Sequence, residues 1–307
     1  MAQLIRNKFP FPKSARCIVC DSLQARALYS YSYNDKNSDI LQCSSCGHLF
    51  IHPIPLISLD SRTMDTLDDA EFFGSRTSQF LHEKIVINRE IRNVKKLINS
   101  TEPTLLDIGC GTGWTTLIWQ KSGFSVTGLE PSEERAELGA EKYGINILQG
   151  HIEQFPHGEK YDVIILRHVL EHIADPSGVL NTVKTFLKDR GVLVIVIPNI
   201  NSIGRYLFKE HWQWVLPWHL HFYHPKTLMR LVTKIGLKKL KLYQMPSPLW
   251  YPDSLIRMVG TDTKLSKFLN EKAQLASQLL FTPVMLLGLL LNLNDNMTLI
   301  AGIEEFR

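Results

Sequence analysis

Two sets of side chains in this 307-residue chain are spaced for chemistry. Cys17 and Cys20 form one Cys-x2-Cys pair, and Cys43 and Cys46 form another after a gap of 22 residues. Each pair suits a tight knuckle whose two thiolates grip one side of a tetrahedral zinc ion, and the second pair completes the shell. A closed four-thiolate site has no open position for a substrate, so the expected metal is structural. His48 follows directly, but four cysteines already satisfy the ion. The second set is histidine grouped with an acid and aromatics. His168, Glu171 and His172 follow an apolar run, while His219 and His221 alternate with apolar residues in Trp218-His-Leu-His-Phe-Tyr-His224. Histidine titrates near neutrality, so either group could take a proton from a substrate hydroxyl or carbon. In an extended segment His219 and His221 would share one face. With Trp212 and Trp214 just before them, they suit a lid that orients an organic substrate.

The elements that must position these groups are readable from pattern. Thr104 to Ile108 is a short apolar run broken by one charge, Asp107, which a buried strand carries only for a reason. Gly109, Gly111 and Gly113 follow, separated by Cys110 and Thr112, and a helical pattern starts at Trp114. Strand, glycine turn and helix start make a cradle in which backbone closely approaches a nucleotide. The dinucleotide fingerprint G-x-G-x-x-G is not met, because its third glycine place holds Trp114. Further strands are predicted at 125–129, 145–149, 161–166, 191–198, 237–245 and 297–301, with helices between, including one from Leu228 to Lys234. That alternation predicts an open, mostly parallel α/β sheet. Ligands in such sheets sit beyond the carboxyl ends of the strands. Glu130, with Pro131 after it, ends the second strand, where an acid accepts hydrogen bonds from ribose hydroxyls. Arg167 and His168 end the fourth.

Asp-x-Gly-x-Gly-x-Gly at 107–113, with Glu130 and the 161–198 run, resembles class I S-adenosylmethionine-dependent methyltransferases, over about two-thirds of the chain. The resemblance implies a Rossmann-like sheet closed by an antiparallel last strand, and S-adenosylmethionine as cofactor. It implies that Asp107, Gly109, Cys110, Gly111, Thr112, Gly113, Glu130, Pro131, His151, Ile152 and Arg167 line the cofactor site. His151 and Ile152 flank the adenine, with His151 where the family often has Asp. The His168, Glu171, His172 cluster resembles the motif by which ubiquinone-pathway O-methyltransferases hold a divalent metal near the substrate oxygen. Here His168 replaces the first acid, which leaves an active-site metal open. Zinc-ribbon relatives include sugar C-methyltransferases.

The domains are then a zinc ribbon (1–58), a helical linker that covers the cofactor or packs on the sheet (59–102), and a methyltransferase domain (103–307). The linker's apolar positions from Phe80 to Ile98 have helical spacing. An apolar insertion, 246–296, precedes the last strand. Residues 273–294 carry no charge, and their densest stretch, 279–291, is shorter than the ~20 residues a membrane span needs. It reads as a buried or dimer-forming helix, with peripheral membrane contact as the alternative. A net charge of +4 without a long basic block argues against nucleic acid. No secretory h-region is visible, so a cytoplasmic location is expected, possible membrane contact aside.

The function expected is methylation of a small organic acceptor, free or linked to a sugar or lipid. His219 or His221, ahead of His168, would be the base. Two other classes stand beside it. A hydride-transferring dehydrogenase would need a small residue at 114. An inactive cofactor-binding scaffold would use its ribbon to bind a partner.

Overall fold

The computed structural model describes residues 3–5, 15–33, 36–55, 68, 76–156, 158–245, 251–260, 263 and 274–303. Two sheets organise them. The first is an antiparallel ribbon of β1 (Gln3–Ile5), β2 (Ala25–Tyr33), β3 (Lys36–Cys43) and β4 (Leu49–His52).

The second sheet begins with β5 (Thr104–Ile108), β6 (Ser125–Glu130), β7 (Ile147–Gln149), β8 (Tyr161–Arg167) and β9 (Leu187–Pro198), all parallel. β10 (His221–Phe222) belongs to the other sheet: it pairs with β4 and becomes the ribbon's fifth strand. β11 (Lys238–Met245) and β12 (Asn296–Gly302) complete the large sheet in the order β11-β12-β9-β8-β5-β6-β7. As expected, the last strand is antiparallel, lying between β9 and β11. Val163 to Leu166 and Val192 to Ile195 are fully buried, as continuous aliphatic runs must be in a sheet covered on both faces.

One face is covered by a helical segment made of α1 (Arg76–His82), a π-helical turn (Glu83–Ile87) and α2 (Asn88–Lys95), together with α3 (Trp114–Lys121). Val86, Ile87, Ile91, Val94 and Trp119 pack there against Leu105, Val163 and Val194. α4 (Glu133–Tyr143) follows β6, capped by the Ser132 hydroxyl, which accepts from Arg135 N. The opposite face carries α5 (Pro176–Thr185) and α7 (Pro225–Lys234), with the short α6 (Ile203–Phe208) between them in sequence. Val179, Val183, Leu228 and Leu231 share that cluster with Cys17, Leu41, Cys43 and Phe50 of the ribbon. The ribbon is therefore fused into the core of the large sheet.

The boundaries differ from expectation in places. The linker helix begins at Arg76 and stops at Lys95, because the Leu97 and Ile98 amides both turn back to the Val94 carbonyl. α7 starts at Pro225 instead of Leu228: Thr227 accepts from the His224 amide and Pro225 presets the first turn. β9 starts at Leu187, four residues early, because Lys188-Asp-Arg-Gly191 reads as a turn while pairing extends back to Tyr161. The insertion holds α8 (Tyr251–Val259) and α9 (Gln274–Leu291), and its remaining stretches at 246–250, 261–262 and 264–273 lie outside the described residues. Phe281 and Val284 of α9 pack on Phe208, Trp212 and Tyr251, whereas Leu286, Leu287 and Leu290 face outward, Leu290 at 82 % exposure. Among the described residues no helix is long and apolar enough to cross a membrane.

Candidate active site

The site lies at the carboxyl ends of β5, β6 and β8. Asp107 points from β5 into the interior, where its Oδ2 accepts a 2.6 Å hydrogen bond from Thr116 Oγ1. Burial pushes its carboxyl up to about 6, against the Thr116 hydrogen bond, which lowers it. The glycines that follow have φ of 68° (Gly109), 59° (Gly111) and 76° (Gly113), left-handed values that glycine adopts without strain. A Cβ at Gly109 would meet Val169 Cγ2 at 2.5 Å, so the loop after β8 rests directly on the glycine loop. The Gly109 and Cys110 amides both donate to the Leu129 carbonyl, tying the loop to β6.

Glu130, at the end of β6, accepts from Gly111 N through Oε2 (2.8 Å) and from Ser132 N through Oε1 (3.0 Å). Burial raises its carboxyl, and those two amides oppose the rise. Each oxygen keeps a further lone pair, so the carboxylate can still accept from a diol. Thr112 and Cys110 are buried within the loop, and burial pushes the Cys110 thiol up. Ile152 is buried in the short helical turn after β7, while Pro131 and His151 are exposed beside it. A bare-backbone loop flanked by a diol-accepting carboxylate and an apolar wall is a fit for an adenosyl ligand.

The Arg167 guanidinium forms a buried ion pair with Glu90 of α2, and its charge also acts on Asp107. His82, from α1, reaches over the loop to Trp114, ring centroids 6.1 Å apart. Burial, then the charges of Arg167 and His168, hold its pKa down to about 3. Neither Glu90 nor His82 is visible as a site residue in the sequence, where both belong to an amphipathic helix far from any motif. Asp68, a buried linker residue, accepts from Tyr143 OH (3.0 Å) and Thr112 Oγ1 (3.2 Å) and pairs with Lys142. The linker thus touches the glycine loop.

Beyond the loop stands the second half of the site. His168 has φ of 54°, and its ring stacks on Trp214 at 4.9 Å with planes 5° apart. Its Nδ1 lies 3.2 Å from Glu171 Oε1. Glu171 is 1 % exposed, and its Oε2 has no hydrogen-bond partner among the described residues. His172 Nδ1 lies 2.9 Å from the Trp218 carbonyl, a contact that requires the proton on Nδ1 and leaves Nε2 as a lone-pair donor. His219 meets His172 edge to face at 4.7 Å. Burial, then the charges of His172 and His168, hold it well below the ordinary histidine range. Donor atoms of Glu171, His172 and His219 all lie within 4.8 Å of one another.

The structure therefore brings His219 to Glu171 and His172, while His168 turns onto Trp214. The shared face expected for His219 and His221 does not form, because the extended pairing covers only His221 and Phe222. His221 faces the ribbon instead: its Nδ1 lies 3.4 Å from His48 Nε2, and burial holds its pKa down to about 4. The four cysteines converge as well, with Cys17 and Cys46 sulfurs 3.6 Å apart and those of Cys20 and Cys43 3.4 Å apart. All four ligand atoms lie within 4.8 Å, a donor set suited to one tetrahedral ion.

A seven-stranded sheet with an antiparallel closing strand and this glycine loop defines a class I S-adenosylmethionine-dependent methyltransferase. Residues 82–242, just over half of the chain, match the family described as a methyltransferase domain, and the chain belongs to that family. Among curated proteins it is similar to the ubiquinone biosynthesis O-methyltransferase of Actinobacillus pleuropneumoniae serotype 5b (strain L20), at 37 % identity over 100 residues. That alignment spans 29 % of this chain and 43 % of the relative. The enzyme of the same name from Rickettsia prowazekii (strain Madrid E) is 30 % identical over 178 residues, 53 % of this chain and 67 % of that one. Among solved structures, a candidate sarcosine dimethylglycine methyltransferase from Galdieria sulphuraria superposes with a TM-score of 0.51 at 17 % identity. It covers 75 % of this chain and 88 % of that one, a likeness of fold.

Proposed function

We propose that the chain transfers a methyl group to an oxygen or carbon nucleophile of a small organic acceptor, free or carried on a sugar or lipid. The observation that carries this reading is the contact of Val169 with Gly109, which sets the Glu171, His172, His219 group beside the cofactor loop. S-adenosylmethionine, when bound, supplies an electrophilic methyl on a sulfonium. The chain's own work is to align and deprotonate. Glu130 orients the ribose, and the glycine loop admits the ligand without side-chain obstruction. His219, kept neutral by burial, takes the acceptor proton on its free ring nitrogen, and the carboxylate of Glu171 stabilises the imidazolium that results. Trp214 and Phe222, whose rings lie 5.9 Å and 6.5 Å from that of His219, supply apolar surface for an organic acceptor. Alternatively, Glu171, His172 and His219 would together hold a divalent cation, which would lower the pKa of an acceptor hydroxyl. The names of the similar O-methyltransferases favour an oxygen nucleophile. The outward leucines of α9 favour a lipid-linked one. The four thiols would hold a structural zinc.

Methyl-labelled cofactor offered with a panel of polyprenyl phenols and nucleotide sugars tests the reading. His219→Ala and Glu171→Gln should each lower turnover by about 10²–10⁴-fold, with S-adenosylhomocysteine affinity unchanged. Full turnover in His219→Ala would remove the base and the ligand role together. Magnesium separates the two roles: only the ligand role predicts that added magnesium, which does not fill a thiolate site, restores turnover lowered by a chelator. Tight cofactor binding with no acceptor turned over would favour a binding scaffold.

A further inference from the structure

We propose that the four-cysteine ribbon is a clamp that positions the acceptor half of the site, while the cofactor half stands without it; this rests on the reading that the thiols hold a metal. The connection is a chain of backbone hydrogen bonds. The Ile51 amide of β4 donates to the Leu220 carbonyl at 2.9 Å, and the Leu220 amide donates to the Glu171 carbonyl at 2.7 Å. Leu220 sits between His219 and His221, so these two bonds fix the distance between the ribbon and both the His219 and Glu171 segments.

Side chains close the same seam. His48, two residues after Cys46, is fully buried, stacks on His221 at 5.5 Å and meets Tyr223 at 5.0 Å with the planes tilted by 44°. Gly47, in the second knuckle, has φ of 77°, and a Cβ there would lie 3.6 Å from His224 Nε2. Tyr223 is buried, and the charges of Glu171 and Cys17 add to the burial that raises its hydroxyl. His221 also sits against the Ile173 and Ala174 backbone that follows Glu171 and His172, so the ring bridges the ribbon and the active-site loop. Two backbone hydrogen bonds and a row of buried rings therefore join β4 to the acceptor segment. A metal joining Cys17 and Cys20 to Cys43 and Cys46 would fix β4 through its knuckle and so fix the seam.

The cofactor half draws its hydrogen bonds from other elements. Asp107 is held by Thr116, Gly111 by Glu130, and Gly109 and Cys110 by the Leu129 carbonyl, all from β5, α3 and β6. Loss of the metal should therefore separate two properties that a general loss of stability would remove together. The clamp makes Leu220 a positioning residue for Glu171 and His219.

The test uses the purified full chain. Its metal content is measured first: a chain without a thiol-bound ion overturns the metal reading and the clamp with it. The metal is then released with a mercurial and a chelator, and the mercurial is reversed with thiol. A Cys43→Ser, Cys46→Ser variant repeats the measurement without reagents. Hydrogen exchange is followed at the Ile51 and Leu220 amides and across 104–108, alongside calorimetry with S-adenosylhomocysteine. The expected result is at least tenfold faster exchange at Ile51 and Leu220, with 104–108 still protected and cofactor-product affinity within twofold. Retained protection at Leu220 after metal loss would overturn the clamp. So would loss of S-adenosylhomocysteine affinity in step with protection, which would make the metal a support of the whole fold.

Discussion

Glu130 commits both carboxylate oxygens to backbone amides and still has lone pairs for the ribose, so its removal should act twice, on the loop and on the ligand. Glu130→Ala is expected to weaken S-adenosylhomocysteine binding by about ten- to hundredfold, the scale of one or two charge-assisted hydrogen bonds. Glu130→Gln, which keeps an acceptor oxygen, should fall between; calorimetric affinities of the two variants check the order. His82 gives a pH signature. Its folded pKa, about 3, lies below the ordinary histidine value of 6.5, so it binds a proton in the unfolded chain first. The stability it contributes is complete above pH 6.5 and is lost as pH falls toward 3, with a slope of up to about 1.4 kcal/mol per pH unit. Urea unfolding across that window should show a shallower pH dependence for His82→Gln than for the native chain. Equal slopes would mean that His82 is not held neutral. His219 and His221 illustrate what sequence does not carry at this scale. Two histidines two residues apart look equivalent, yet one joins Glu171 and the other joins His48.

At the scale of elements, the glycine loop is the most exacting. Gly109→Ala adds a Cβ 2.5 Å from Val169 Cγ2 at a φ of 68°. The expected loss is about 1–3 kcal/mol of stability. Val169→Ala in the same chain should return the part due to the contact and leave the part due to the backbone. Urea unfolding of the single and double variants measures both; full rescue would mean that the left-handed backbone carries no cost. The loop, the buried strands β5, β8 and β9 and the closing antiparallel strand were all legible, because aliphatic runs and turn glycines are local signals. β10 was not. Two residues cannot announce a strand, and its partner, β4, lies some 170 positions earlier. Glu90 was hidden for a similar reason. Within its helix it is an ordinary charged residue, and only the fold brings Arg167 to it.

On the scale of the whole molecule, the chain joins a four-cysteine ribbon and a methyltransferase sheet through one apolar cluster and through β10, which leaves the sheet's part of the chain to pair with β4. Spacing made the ribbon readable and the glycine loop made the sheet readable, but their fusion depends on packing that no local pattern records. The proposed acceptor half of the site sits at that junction, with histidines and aromatics from one short segment reaching in both directions. The central claim, that the cradle takes S-adenosylmethionine and not a dinucleotide, is tested most directly by calorimetric titration of the full chain with S-adenosylhomocysteine and with NAD. Binding of S-adenosylhomocysteine alone, weakened in Glu130→Ala, is the predicted result; binding of NAD, or of neither ligand, would contradict it.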